Sequence, residues 1–187
     1  MNPFISLLQK YGPIQDSVAD KISNYFQQHY KSKNDYFLKA GQLHTNLFML
    51  EKGLVRAFFI KENKEVNTWF GSEGMILGSI LPAYSLLPSF ENIQFLEDSI
   101  VHFITIQDLN KLYLEYPELN LIGRKIAEEY CKIMEERIVS LQSKTAEERY
   151  LSLLQHEPDL LFRVSLGHIA SYLGVAQETL SRIRKKI

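Results

Sequence analysis

The hydrophobic period of this chain changes twice, and the second change, near Asp108, limits its fold more than any other feature. From Lys31 to about Ile106, short apolar runs alternate with turn residues: Tyr36 to Leu38 reaches Gly41, Asn46 to Leu50 ends at Lys52-Gly53, and Leu54 to Ile60 is rich in branched and aromatic residues. The polar cluster at 61–65 reads as a hairpin turn into Val66 to Phe70. A loop with Pro82 and Pro88 then leads to Asn92–Phe95 and Ile100–Ile104. Strands at roughly 8–12-residue spacing, separated by turn residues, argue for a small antiparallel barrel or jelly roll. Ten Tyr and eleven Phe supply the aromatic content such a core needs.

After Asp108 the period becomes helical. A short helix reaches Tyr116, Pro117 sits where a first-turn proline belongs, and Leu119, Ile122, Ile126, Tyr130, Ile133, Met134, Ile138 and Leu141 recur at three- and four-residue intervals. A helix of roughly 26 residues spans about 39 Å, long for a small domain. The first half of its stripe can lie on the barrel of its own chain. The second half outruns the barrel, and a twin helix in a dimer is the expected cover. Residues 3–30 are also read as helical, from Phe4, Leu7 and Leu8 through Val18, Ile22, Tyr25 and Phe26, with a break at Gly12-Pro13 and a cap at Asp16 or Ser17.

The net charge of −1 gives the whole molecule no general attraction for polyanions, but basic residues gather at the end, with Arg182, Arg184, Lys185 and Lys186 close together. Cys131 is the one cysteine, so neither an internal disulfide nor a cysteine-built metal or iron–sulfur site is expected. No export signal and no apolar run of membrane-spanning length stand out, which suggests a cytoplasmic protein without a membrane partner. We find no nucleophile–base–orienter set, no phosphate loop and no metal-ligand spacing, so an enzyme is not expected.

The last part of the chain is the most specific. Ser165 is placed to cap a helix whose apolar positions are Leu166, Ile169, Ala170 and Leu173, and Gly174 stands where the chain must leave that helix in a left-handed conformation. Val175 is apolar inside the turn, and Leu180 and Ile183 give a second helix its buried side. Small Ala170 permits a close, steep helix crossing, which together with this spacing describes a helix-turn-helix. The opposite side of the second helix carries Gln177, Glu178, Ser181, Arg182 and Lys185. Arg182 can bond O6 and N7 of guanine, and Glu178 can accept from a cytosine amino group.

Residues 165–187 resemble the DNA-binding motif of the Crp/Fnr family of bacterial regulators, and the run Glu178-Thr179-Leu180-Ser181-Arg182 is similar to the base-reading trio of its Fnr branch. Gly53-Leu54-Val55-Arg56, the turn at 61–65 and the glycines from Gly71 to Gly78 resemble the family's sensory barrel, and 117–142 its dimerisation helix. The resemblance implies an α+β chain in three parts: a jelly-roll barrel like a cyclic-nucleotide-binding domain with flanking helices (1–116), a dimerisation helix (117–143) and a helix-turn-helix domain without a full wing (144–187). It implies a homodimer on double-stranded DNA, with RNA polymerase as a further partner. Gln177, Glu178, Ser181 and Arg182 would read bases, and Ser165, Thr179, Arg184, Lys185 and Lys186 would touch phosphate. The dimer interface would use Ile122, Ile126, Tyr130, Ile133, Met134, Ile138 and Leu141. The alternative is a small-molecule or cyclic-nucleotide binding module with a vestigial helix-turn-helix.

Departures from the family pattern bear on the ligand. Gly78-Ser79 stands where cyclic-nucleotide binders carry Gly-Glu, Ser89-Phe90 stands near their Arg-Ser pair, and Met134-Glu135 replaces the hydroxyl residues that meet the base. A buried phosphate without a cationic partner is costly, so neither cAMP nor cGMP is expected. The Fnr-type cysteine cluster is absent, and His44 and His102 are isolated histidines rather than a haem pair. Trp69, Gly78, Ser79, Ser89, Phe90 and Met134 outline a pocket for some other small-molecule effector, and no cofactor is predicted. Ala176 lacks the hydroxyl that usually caps the recognition helix, and no wing follows Ile187, so affinity is expected to lean on Arg184, Lys185 and Lys186.

Overall fold

The computed structural model describes residues 3–186; Ile187, where the expectation of a missing wing falls, lies outside them. Two short helices open the described chain, α1 (Pro3–Gln9) and α2 (Asp16–Ser23). The strands are β1 (Gln27–Lys31), β2 (Tyr36–Leu38), β3 (Asn46–Lys52), β4 (Val55–Lys61), β5 (Lys64–Gly71), β6 (Ile76–Leu77), β7 (Asn92–Phe95) and β8 (Ser99–Thr105), with α3 (Ile80–Ser85) between β6 and β7. They form two four-stranded antiparallel sheets, ordered β1-β8-β3-β6 and β2-β7-β4-β5, which face each other as a jelly roll rather than close into a ring. Phe48, Leu50, Val55, Ile93, Phe95 and Val101 fill the space between them.

Four expectations need correction here. The cap of α2 is Gln15, without a side-chain bond, rather than Asp16 or Ser17. Helix does not run through residue 30: Gln27–Lys31 pairs with β8 from Gln27–Phe103 to Lys31–Ser99. The ladder, not hydrophobic alternation, makes this strand, because only two of its five side chains are even half-buried. The stretch around Pro82 is a helix rather than a loop; its proline lies within the first turn, where the missing N–H leaves no helical bond unmade. Pro117 is the N-cap rather than the first helical residue. The hairpin turn at 61–65 narrows to Glu62 and Asn63, both left-handed (φ 50° and 60°), the two-residue geometry that matches strand twist.

The rest is helical: α4 (Ile106–Glu115), α5 (Glu118–Ser143), α6 (Ala146–His156), α7 (Leu160–Arg163), α8 (Leu166–Tyr172) and α9 (Gln177–Arg184). Thr105 caps α4, and Thr145 caps α6 in a reciprocal box with Glu148. No helix among the described residues is long and apolar enough to cross a membrane.

The long helix α5 divides as its stripe suggests. Ile122 is 2% exposed and, with Leu119, belongs to a core shared by α1, α2 and α4, with Ile126 packed against it. Tyr130 turns inward too, its hydroxyl donating to the Ile76 carbonyl, and desolvation pushes its pKa up to about 12. These three positions, expected at a dimer interface, hold α5 onto its own barrel. Ile133, Met134, Ile138, Val139 and Leu141 stay exposed.

Candidate nucleic-acid interface and sensory recess

The C-terminal helix pair is built as its sequence dictates. Ser165 adopts extended backbone before α8, and its Oγ accepts from the His168 amide. Gly174 turns the chain at φ 68°, a conformation that costs L side chains energy, and the Val175 amide donates to the Ala170 carbonyl. Ile169, Ala170, Leu173, Leu180 and Ile183 are buried together with Tyr150 and Leu153 of α6. Ala176 caps α9 without a side-chain bond, as its missing hydroxyl requires.

With Leu180 and Ile183 inward, α9 presents Glu178, Arg182 and Lys185 outward, all exposed, with Ser181 half-buried beside them. Among the described residues Arg182 is held by one 3.4 Å bond, from Nη2 to the Thr179 hydroxyl, so its guanidinium can swing to another acceptor. Gln177, though exposed, reaches back to α8: its Oε1 lies 2.9 Å from where a Cβ on Gly167 would stand. Arg184 and Lys186 are exposed near the end of the helix, and exposed Ser165 opens α8.

The other side of α8 has a different task, which sequence reasoning missed. β5 is the edge of its sheet, and α8 covers it. The Ser171 hydroxyl donates to the Glu65 carbonyl at 2.8 Å and accepts from the Asn67 amide at 2.9 Å, so it stands in for a neighbouring strand. Arg56 Nη1 lies 2.9 Å from His168 Nε2. Burial first, and then the Arg56 charge, lower the His168 pKa, leaving the imidazole neutral to accept from the guanidinium. Arg163 of α7 forks onto Glu97 and Glu73, and its donation holds the Glu73 carboxyl at about 2. Leu54 and Phe70 of the barrel join the core of the helix-turn-helix, and Arg137 of α5 stacks 3.8 Å over the Tyr172 ring. Polar residues on the first helix of the pair, His168 and Ser171, were the available signal, but nothing local tells which strand they meet.

The second feature is a groove of about 1730 Å³ along α5, walled by the two sheets and α3 and also by residues of α1, α2, α4, α6, α7 and α8. Of the residues expected to outline a pocket, Trp69, Gly78, Ser79, Phe90 and Met134 line this groove and Ser89 does not. Ser79 and Ser89 are each 3% exposed and stand 3.3 Å apart, with the Ser89 hydroxyl donating to the Glu91 carbonyl. Glu91 itself, missed by sequence reasoning, is 6% exposed, and its carboxylate accepts from the Thr68 hydroxyl at 3.2 Å. Thr68 reaches it from a β-bulge: Ala57 pairs with Trp69 and Phe58 with Asn67, which leaves Thr68 unpaired. Burial raises the Glu91 pKa, partly offset by hydrogen bonds from Thr68, Ser79 and Trp69. Anionic phosphate does not fit this wall, which offers two mutually bonded serines and an acid where a cation would be needed. Nor does the chain carry the thiolates for an iron–sulfur cluster, since Cys131 is its single cysteine. His102 is committed to Glu51, at 2.5 Å.

No protein-family model matches the chain. Among curated proteins it is similar to the fumarate and nitrate reduction regulatory protein of Vibrio cholerae, 29% identical over 163 residues, covering 81% of this chain and 64% of that protein. The anaerobic regulatory protein of Aggregatibacter actinomycetemcomitans is 28% identical, covering 81% of this chain and 63% of that protein. The match thus spans less than two thirds of the length of these relatives. In fold it is similar to a mutant of CooA from Carboxydothermus hydrogenoformans (TM-score 0.72, 21% identity, 89% of this chain and 78% of that one). FixK2 from Bradyrhizobium japonicum follows with TM-score 0.71 and 19% identity, covering 86% of this chain and 83% of that one.

Proposed function

We propose that this chain, of Crp/Fnr type by sequence and fold, is a sequence-specific DNA-binding transcription regulator that acts as a dimer. The observation that carries the reading is the exposed face of α9: Glu178, Arg182 and Lys185 point outward from a helix whose other side is anchored by Leu180 and Ile183. Arg182 and Glu178 have the donors and acceptor for base edges, with Ser181 and Gln177 beside them. Ser165, Thr179, Arg184, Lys185 and Lys186 surround that face and supply phosphate contacts that fix register. The capped α8, the left-handed Gly174 and the buried Ala170 remain intact, which favours a working motif over a vestigial one.

Dimerisation is supported by the far half of α5. Ile133, Met134, Ile138 and Leu141 form an apolar stripe that stays 40–56% exposed, and a second copy of the same helix offers a matching one. Two α9 helices about 34 Å apart would then enter successive major grooves. The barrel serves as a sensory module whose recess is not shaped for a cyclic nucleotide.

Selection of bound duplexes from a random pool tests the proposal. A two-fold symmetric site with half-sites about 10 base pairs apart, centre to centre, is the expected product. Enrichment of no motif, or of an asymmetric one, would refute a dimeric reader.

A further inference from the structure

We infer that the recess behind Trp69 is a site for a small organic cation with an apolar or aromatic body, and that Glu91 is its counter-charge. The inference rests on the reading of the barrel as a sensory module. Charge provides the first argument. On the strands, α3 and their connections Glu91 carries the only formal charge of the groove lining; the other acidic and basic residues there, Glu135, Glu136 and Arg137 of α5 with His156 and Glu157 at the end of α6, are not among the groups that act on its carboxyl. A carboxylate kept from water without a cationic partner is costly, and the three neutral donors around it offset only part of the desolvation. An ammonium or amidinium group entering the recess would complete the pair.

Shape provides the second argument. Trp69 is hydrogen-bonded to the acid, Phe90 precedes it in the chain, and Phe59 meets Phe90 at 6.1 Å between ring centroids, all three lining the same groove. An acid set among aromatic faces suits an ammonium group joined to an apolar body, because ring faces attract cations as the carboxylate does. The Thr68 bulge is the third. A regular β5 would pair every residue with β4, whereas this one frees Thr68, whose single hydroxyl proton lies between two acceptors, the Ala57 carbonyl and Glu91, each 3.2 Å away.

The same strand gives the site a readout. Thr68 and Trp69 line the recess, while Glu65 and Asn67 of β5 hold Ser171 of α8. A ligand that pulls on Glu91 and Thr68 therefore acts on the strand to which the helix-turn-helix is docked. No longer path is needed.

Trp69 is the single tryptophan of the chain and lies in the wall of the site, so its fluorescence reports occupancy directly. Full-length protein, without DNA, is titrated with phenethylamine and with its near-isosteric anion, 3-phenylpropionate. The cation is expected to produce a saturable change at a concentration about tenfold or more below the anion, and Glu91→Gln should shrink that ratio to about threefold or less. Equal or tighter binding of the anion, no saturable response to either compound, or a ratio unchanged in Glu91→Gln would each overturn the inference. Since no DNA is present, this outcome is independent of whether α9 reads an operator. Loss of operator binding with the cation preference intact would instead strike the regulatory reading.

Discussion

The outer face of α9 and the recess behind Trp69 are both polar, yet they hold their polarity in opposite ways. On α9, Glu178, Arg182 and Lys185 lie in water, so unlike charges sit within a turn of one another at no desolvation cost. In the recess one acid is buried at 6% exposure among rings and hydroxyls, and its charge has no partner of opposite sign. The first arrangement suits a surface that meets a long polyanion and its base edges. The second suits a pocket that takes one small molecule of opposite charge. The contrast sets two kinds of polarity side by side in one chain, an exposed helix face of mixed charge and a recess whose buried acid disfavours anions.

The most damaging substitution for the architecture behind this contrast lies on α5. Ile122→Ala should cost about 2–5 kcal/mol of stability in denaturant unfolding, because a buried side chain leaves a cavity in the N-terminal core. Ile138→Glu, at a position 56% exposed, should leave the fold of each chain intact and shift sedimentation toward the monomer. If Ile122→Ala alters oligomeric state while Ile138→Glu does not, the division of α5 into a barrel half and a dimer half is wrong.

Glu91→Gln sharpens the buried side of the comparison. Because burial raises the Glu91 pKa, the folded protein binds this proton more tightly than the unfolded chain does. The stability due to the protonated form is therefore complete below the unfolded glutamate pKa and lost as pH rises through the folded value. The amide should then stabilise the protein by about 1 kcal/mol at neutral pH, a few degrees in Tm, and the gain should vanish in acid. A destabilised Glu91→Gln protein at pH 7 would mean that the carboxylate is already satisfied.

A smaller effect concerns the joint between the two regions. Glu73 is held at about 2 by Arg163, so its contribution is present above the ordinary glutamate range and fades as pH falls from there toward about 2. The ion pair is partly exposed, and its loss should cost at most about 1 kcal/mol. Arg163→Met should reproduce the acid effect at neutral pH as faster proteolysis between α7 and the barrel. Equal cleavage of both proteins would show that the pair does not hold the joint.

The two regions also differ in how far their sequences declare them. The helix-turn-helix was legible because its determinants are local: a cap at Ser165, a left-handed Gly174 and a small Ala170 act within a few residues of one another. The strands from β2 to β5 were legible from alternation and turn residues. β1 was not, since its pairing with β8 joins residues about seventy positions apart and its own side chains are mostly exposed. Glu91 was passed over because its partner Thr68 reaches it from a bulge in β5 that no nearby residue announces. The docking of α8 through Ser171 and His168 was equally hidden, as a serine and a histidine on a short helix are ordinary surface residues until a strand edge is placed beside them.

The proposal that the exposed face of α9 reads bases is tested most directly by measuring Arg182→Ala on a selected operator and on its single base-pair variants, beside Lys185→Ala. Arg182→Ala should lose about 1–3 kcal/mol per half-site and cease to discriminate at one base pair of each half-site, while Lys185→Ala should weaken all sequences alike and lower the salt slope by about one. An Arg182→Ala protein that keeps full affinity and full discrimination would contradict the account.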